Sequence, residues 1–298
     1  MSEFKQWNQK SHSRKWLLFP ENIGISLSID ETALSNGELY TILTNKKAKG
    51  KKGAIVAMVK GTKSEDVIAV LQKIPLNKRN RVKEITLDMA GSMVLIARIS
   101  FPKSSLVTDR FHVQKLATEA VQEIRIKYRW EALDKENEAI EMSKHKGITY
   151  KAEILSNGDT IKQLLARARF LLFKHYSKWT DNQKERADIL FELFPDIRKA
   201  YELSQKLSYI YQNTYVKSIA LTKLARWYDE VEKANFKSFN TISRTIQLHY
   251  RTILNYFDNR STNASAESFN AKIKAFRAQF RGVRDIPFFL FRLTNIFA

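Results

Sequence analysis

Between residues 23 and 30 apolar and small polar positions alternate without a break, Ile23, Ile25, Leu27 and Ile29 against Gly24, Ser26, Ser28 and Asp30. Period two marks a half-buried strand and puts Asp30 on the face opposite the aliphatic row. Two further β-rich runs, 38–44 and 54–59, flank the Lys/Gly segment 45–53, so the three together predict an antiparallel meander. The period then changes. Val67, Ile68, Leu71 and Ile74 recur at helical spacing, with Ser64 as predicted N-cap, Glu65 and Asp66 in the first turn, and Pro75 as the stop. A fourth strand over 82–88, a short helix around 89–99 and a fifth strand over 105–109 follow. The first, fourth and fifth strands therefore all run into an aspartate: Asp30, Asp88 and Asp109.

From about residue 110 to 255 the pattern is helical, with apolar positions at three- and four-residue spacing over 112–135, 158–176, 181–194, 197–213 and 215–233. A last helix is predicted from about 265 to 281, before an apolar closing segment over 285–297. The expected organisation is a basic arm over 1–22, a core begun by 23–112, a helical insertion over 113–255, and a core completed by 256–298. The order of strands and helices is that of the ribonuclease H-like fold. The expected class is therefore α/β, a five-stranded mixed sheet flanked by helices and interrupted by a large all-α insertion.

In that fold the first and fourth strands are neighbours, which would bring Asp30 and Asp88 within a few Ångströms. Two carboxylates so close repel unless a cation lies between them. Asp109 competes with Asp88 for this second position, because it too ends a strand. Glu31 would point to the other face. A third carboxylate is best supplied by Glu267, on a helix whose Phe269, Ile273, Phe276 and Phe280 form one arc while Glu267, Asn270, Lys274, Arg277 and Arg281 form another. On periodicity alone Glu267 reads equally well as an ordinary surface charge.

Charge narrows the partners. Fifty-one Lys and Arg against 31 Asp and Glu leave a formal charge of +20, a field that attracts polyanions, and nucleic acid is the favoured partner. The chain has no cysteine and five histidines, which excludes disulfides and zinc fingers and leaves a hard, oxygen-ligated ion. With no apolar run at the N-terminus and none of about 20 residues elsewhere, neither a signal peptide nor a membrane helix is expected, and the protein is expected in the cytoplasm of a prokaryote, near the nucleoid.

The stretches GISLSIDE (24–31), ITLDMAGSM (85–93), LVTDRFHVQKL (106–116), ARARFLLFKHYSKWT (166–180) and NYFDNRSTNASAESFNAKIKAF (255–276) resemble, in order, the successive blocks of the "ISL-three" family of insertion-sequence transposases, and most closely its ISAon-type relatives. The resemblance implies a DDE triad of Asp30, Asp88 and Glu267 in a ribonuclease H-like core. It makes Asp109 and His112 the accessory Asp-x-x-His signature, associated with DNA handling rather than primary metal ligation. It implies two magnesium ions, with manganese as a substitute, held by Asp30, Asp88 and Glu267, for metal-dependent cleavage and strand transfer at the element's ends. The family's zinc-binding and helix-turn-helix portion is not matched here. In ISAon-type elements a separate upstream frame encodes it, so a separate recognition protein is an expected partner, as is a dimer on DNA.

Other residues have two readings. Asn270, Lys274, Arg277 and Arg281 would track DNA phosphates beside Glu267, or simply form a solvated face. Trp179 and Tyr176, near Arg167, Arg169 and Lys174, would stack on unpaired bases, although helix packing is the commoner fate of such rings. A catalytically inactive, domesticated nucleic-acid-binding module of the same fold is the alternative to an enzyme.

Overall fold

The strands form where β-branched and aliphatic residues alternate and the sequence between them supplies turns. The computed structural model describes residues 2–35, 38–279 and 285–298. In chain order the elements begin with helix α1 (Ser2–Lys5), β1 (Trp16–Leu18), β2 (Ser26–Ser35), β3 (Glu38–Asn45) and β4 (Ile55–Lys60). Then come α2 (Ser64–Leu71), α3 (Leu76–Arg79), β5 (Glu84–Leu87), α4 (Gly91–Ser100) and β6 (Ser105–Thr108). Helices follow: α5 (Arg110–His145), α6 (Ile161–Leu171), α7 (Asp181–Leu193), α8 (Pro195–Asn213), α9 (Lys217–Ala234), α10 (Lys237–Leu248), α11 (Tyr250–Leu254), α12 (Tyr256–Asn259), α13 (Ala264–Gln279) and α14 (Ile286–Phe297). Among the described residues no helix is long and apolar enough to cross a membrane.

The chain divides into two units, Met1–His112 with His249–Ala298, and Val113–Leu248. The first contains a mixed sheet of order β1-β4-β3-β2-β5-β6. Its β1, β4, β3 and β2 pair antiparallel, while β2, β5 and β6 pair parallel. The first and fourth strands expected from sequence, β2 and β5, are indeed neighbours.

Six strands replace the five expected. The addition is β1, which lies in the expected basic arm and pairs Trp16–Leu18 with Ala57–Val59. Three residues are too few to show a period, and β1 is held by non-local bonds: the Gln9 amide accepts from Leu18 N–H at 2.8 Å and donates to Leu18 C=O at 3.0 Å. One helix start and one helix end also differ from expectation. Ser64 is the first helical residue of α2, with Lys63 at the N-cap and no side-chain cap. The first long helix runs to His145, ten residues past its expected end, because its last turns are rich in Glu and Lys that pair at helical spacing, as Lys144 does with Glu141, rather than in apolar residues.

Alternation along the strands gives the sheet two faces. Leu27, Ile29, Leu43, Ala57, Ile85, Leu87 and Leu106 pack with Val67, Leu71, Met93 and Ile96 of α2 and α4. Leu34, Tyr40, Ile42, Ile55 and Met58 pack with Phe269 and Ile273 of α13 and Phe289, Leu290 and Leu293 of α14. Asp30 shares the second face with Ile42, its partner across β3, and is therefore on the side covered by α13.

The second unit is helical. Trp227 of α9 is fully buried and donates its indole N–H to Leu203 C=O of α8 at 2.9 Å. Asp159, also fully buried, precedes α6 and is clamped by Arg167 and by Arg186 at 2.9 Å. The capping box of Thr160 and Gln163 starts α6, and that of Thr180 and Gln183 starts α7.

Candidate active site

Three aspartates stand at one level across three adjacent parallel strands: Asp88 and Asp109 directly follow the carboxyl ends of β5 and β6, whereas Asp30 lies inside β2, which runs on to Ser35 and does not end at its aspartate as the sequence led one to expect. The β2–β5 ladder pairs Ser28 with Thr86, and the β5–β6 ladder pairs Leu87 with Thr108. Continued by two places and by one, these registers set Asp88 beside Asp30 and Asp109 beside Asp88. Neighbouring strands lie about 4.8 Å apart, and equivalent positions project to the same side. Carboxyl ends of parallel strands are where α/β proteins place their chemistry.

The three carboxylates differ in their surroundings. Asp30 is half-buried; its Oδ1 accepts the N–H of Glu31 at 2.8 Å, and its Oδ2 accepts from the Asn270 side-chain amide at 2.7 Å. Asp88 is half-buried and accepts the N–H of Ala90 at 2.9 Å, which turns the chain into α4. Asp109 is buried, and neither of its oxygens has a hydrogen-bond partner among the described residues. A buried polar atom is normally bonded, and a carboxylate left without donors is the costliest kind of exception.

Helix α13 carries Glu267 to the same place. Phe269 and Ile273, fully buried, seat the helix on the sheet. Asn270 ties it to Asp30, and Lys272 donates to Gly50 C=O at 2.8 Å. Gly50 has φ +65°, which a side chain rarely adopts, so the β3–β4 turn presents its carbonyl to Lys272 at a glycine. Glu267, although more than a third exposed, has its carboxyl pKa raised, first by loss of water and then by Asp109 and Asp30, with His112 opposing. Asp30 is raised first by burial; the Glu31 N–H and His112 oppose, and Asp88 and Asp109 add to the rise. Glu31 is raised by burial, then by Asp88 and Asp30. Five carboxylates thus share one electrostatic site with His112 at the start of α5.

A second set of groups was not foreseen. The buried Glu84 of β5 is 3.5 Å from Lys46 Nζ, accepts from Asn259 at 3.3 Å, and also accepts from the Ser261 hydroxyl. Lys46 donates to Thr86 at 2.8 Å, and burial lowers its pKa against the pull of Glu84 and Asp109. This network joins β5 to the chain just before α13. Its bonds link residues 38 or more apart in sequence, and the one local sign is a carboxylate inside an otherwise buried strand.

By helical spacing Asn270 falls with Lys274, Arg277 and Arg281 on the arc expected to face DNA. Asn270 instead bonds Asp30. Lys274 is exposed and Arg277 half-buried, and among the described residues neither is joined to the carboxylates. Arg281 and Phe280 lie outside the described residues. Trp179 is a packing residue. It donates to Leu171 C=O at 2.9 Å and lies 5.4 Å from the Tyr201 ring.

Among the described residues no three His, Asp or Glu side chains are gathered tightly enough to form a finished metal site. Asp30 and Asp88 are held by N–H donors. The donor chemistry nevertheless fits a hard divalent cation: oxygen ligands only, at one sheet edge, with the unpartnered Asp109 carboxylate beside them.

Comparisons with known proteins identify the family. The profile of the DDE transposase family of the ISL3 type, described as "Transposase", matches residues 27–293. The transposase for insertion sequence element IS1001 of Bordetella parapertussis is 21% identical over 275 residues, 91% of this chain and 60% of that protein. This chain therefore spans about 60% of the length of that relative. No solved structure matches. The family match runs from β2, through the strand ends that carry Asp88 and Asp109, to the helix of Glu267 and beyond, so the chain belongs to the ISL3 family of DDE transposases.

Proposed function

We propose that this chain is the catalytic part of a DNA transposase, which cuts strands at the ends of an insertion sequence and joins them to target DNA. The observation that carries this reading is the level row of Asp30, Asp88 and Asp109 with Glu267 brought over it, in a chain of this family. The strand order supports a ribonuclease H-like core over 23–112 and 256–298, with the helical segment 113–255 as an insertion and 1–22 as a basic lead-in.

Asp30, Asp88 and Glu267 would hold two divalent ions, magnesium or manganese, which when bound activate the attacking oxygen and stabilise the leaving one. Within the protein, Asn270 fixes the Asp30 carboxylate through its amide, leaving the other carboxylate lone pairs for ligation. Water attacks first; the 3′-hydroxyl so released then attacks a target phosphodiester, and no covalent bond to the protein forms. Asp109 and His112 serve as accessory groups, His112 by offsetting the charge of Asp30 and Glu267. Lys274, Arg277 and Arg281 contact phosphates. A dimer on DNA and a separate end-recognition protein complete the assembly, which acts in the cytoplasm.

The test is magnesium-dependent cleavage and joining of DNA carrying the element's ends, with the upstream-encoded protein added or omitted. Asp30→Asn, Asp88→Asn and Glu267→Gln should each lower the rate by about 100-fold or more, while leaving DNA binding in place. A wild type that binds these ends but never cuts them would replace this reading with the inactive binding module.

A further inference from the structure

The helical unit contains a surface that the active site does not use. From 160 to 180 the chain has no Asp or Glu, but it has Lys162, Arg167, Arg169, Lys174 and Lys178. Lys162 is paired with Glu136, and Arg167 with Asp159. Arg169, Lys174 and Lys178 form no ion pair among the described residues.

Three aromatic rings lie among these cations and point away from the core. Phe170 is 67% exposed, Phe173 45% and Tyr176 60%, while the intervening Leu171 and Leu172 are fully covered. An exposed Phe forgoes about 1.5–3 kcal/mol of burial, so two of them beside a well-packed core need a reason. They are not the tips of a loose loop. Trp179 bonds Leu171 C=O, and the Tyr201 hydroxyl donates to Lys174 C=O at 2.9 Å, so the turn after α6 is pinned from its inner side. The Arg169 guanidinium lies 5.4 Å over the Phe170 ring, and the His175 and Tyr176 rings are 4.2 Å apart.

We infer that Phe170, Phe173 and Tyr176, with Arg169, Lys174 and Lys178, form a binding strip for unpaired DNA bases. Stacking on aromatic rings needs no base pairing and tolerates any sequence, and cations between the rings neutralise the connecting phosphates. Paired bases cannot offer their faces, so the rings discriminate single strands from duplex, while the cations do not. Charge selects the occupant: a protein partner would have to bring acidic groups to three unpaired cations as well as cover the rings. The inference deepens the DNA reading above and rests on it for the identity of the polyanion. Within that reading, the strip would hold strand ends left unpaired by cleavage.

The test is fluorescence anisotropy of the full chain with a labelled oligothymidylate of roughly ten nucleotides and with a duplex of the same length. Phe173→Ala/Tyr176→Ala should weaken single-strand binding by about tenfold or more and duplex binding by less than about threefold, with an unchanged unfolding midpoint. Lys174→Gln/Lys178→Gln should weaken both and make the dependence on salt shallower by about two charges. Single-strand binding that survives loss of the rings overturns the inference, as does equal loss for both DNAs or a wild type that binds neither. Loss of self-association in sedimentation with single-strand binding intact would assign the rings to a second copy of the chain. Neither DNA measurement needs catalysis. A protein that cleaves ends but ignores ring loss fails this inference alone, and one that grips single strands through the rings but never cuts fails the activity alone.

Discussion

Replacing Glu84 by Ala tests how the helix of Glu267 is held in register with the strands. Glu84 has a side chain 8% exposed and faces Lys46, 15% exposed, at 3.5 Å; it also accepts from Asn259 and Ser261, which precede α13. Removing one partner of a buried pair leaves the other charge uncompensated and costs about 3–5 kcal/mol. Lys46 keeps its bond to Thr86 and can turn toward water, so about 2–3 kcal/mol is expected here. The assay is hydrogen exchange read by mass spectrometry on peptides covering 84–88 and 256–264, which reports local opening. Exchange there should accelerate about 30- to 150-fold, at 1.4 kcal/mol per tenfold, with little change in peptides from 181–213. The double variant Glu84→Leu/Lys46→Met, which removes both charges, should recover most of the protection. An acceleration below about threefold, or one spread evenly over the chain, would refute the argument that this pair fastens the segment leading to Glu267.

Magnesium and pH should act together on the first unit. Asp30, Glu31 and Glu267 have pKa values raised from their ordinary values, first by burial, so in metal-free protein the stability they allow is present at low pH and lost as pH rises through the folded values. Thermal unfolding at neutral pH should therefore shift upward by about 3–6 °C at ten times the magnesium Kd, and the gain should fade toward pH 4; no shift in wild type, or an equal one in Asp30→Asn, would contradict this. In the helical unit, burial alone would raise the Asp159 pKa, but Arg186 and Arg167 outweigh it and hold it below 3.8. Its contribution is therefore present above the ordinary value and lost as pH falls through the lower folded one. Acid titration followed by the fluorescence of buried Trp227 should show a transition below about pH 4, which Asp159→Asn moves upward; an unmoved transition would exclude the clamp.

The single sequence was legible where the physics is local. Alternation through Leu27 and Ile29, helical spacing through Val67 and Leu71, and the two-arc pattern around Glu267 describe interactions of a residue with its near neighbours, and the corresponding β2, α2 and α13 are present. The adjacency of the strands carrying Asp30 and Asp88 followed from the order of elements, because connection rules leave few topologies for such an order. The ends of elements were less legible, since fraying and charge pairing leave no apolar signal, as at the C-terminal turns of α5.

What only the tertiary structure decided is who meets whom across long separations. Asn270, alike in sequence to a solvent-facing arc with Lys274, reaches Asp30 because α13 is seated by Phe269 and Ile273. Trp179 is turned inward by Tyr201 and Leu171, which leaves Phe173 and Tyr176 outside. Three residues of an apparent arm become an edge strand because Ala57–Val59 offer a free ladder. Asp109, buried just past β6, has no hydrogen-bond donor to its carboxylate among the described residues. Each outcome depends on strand pairing and helix seating between segments tens to hundreds of residues apart. The periodicity of one segment contains no information about the surface that another will bring against it.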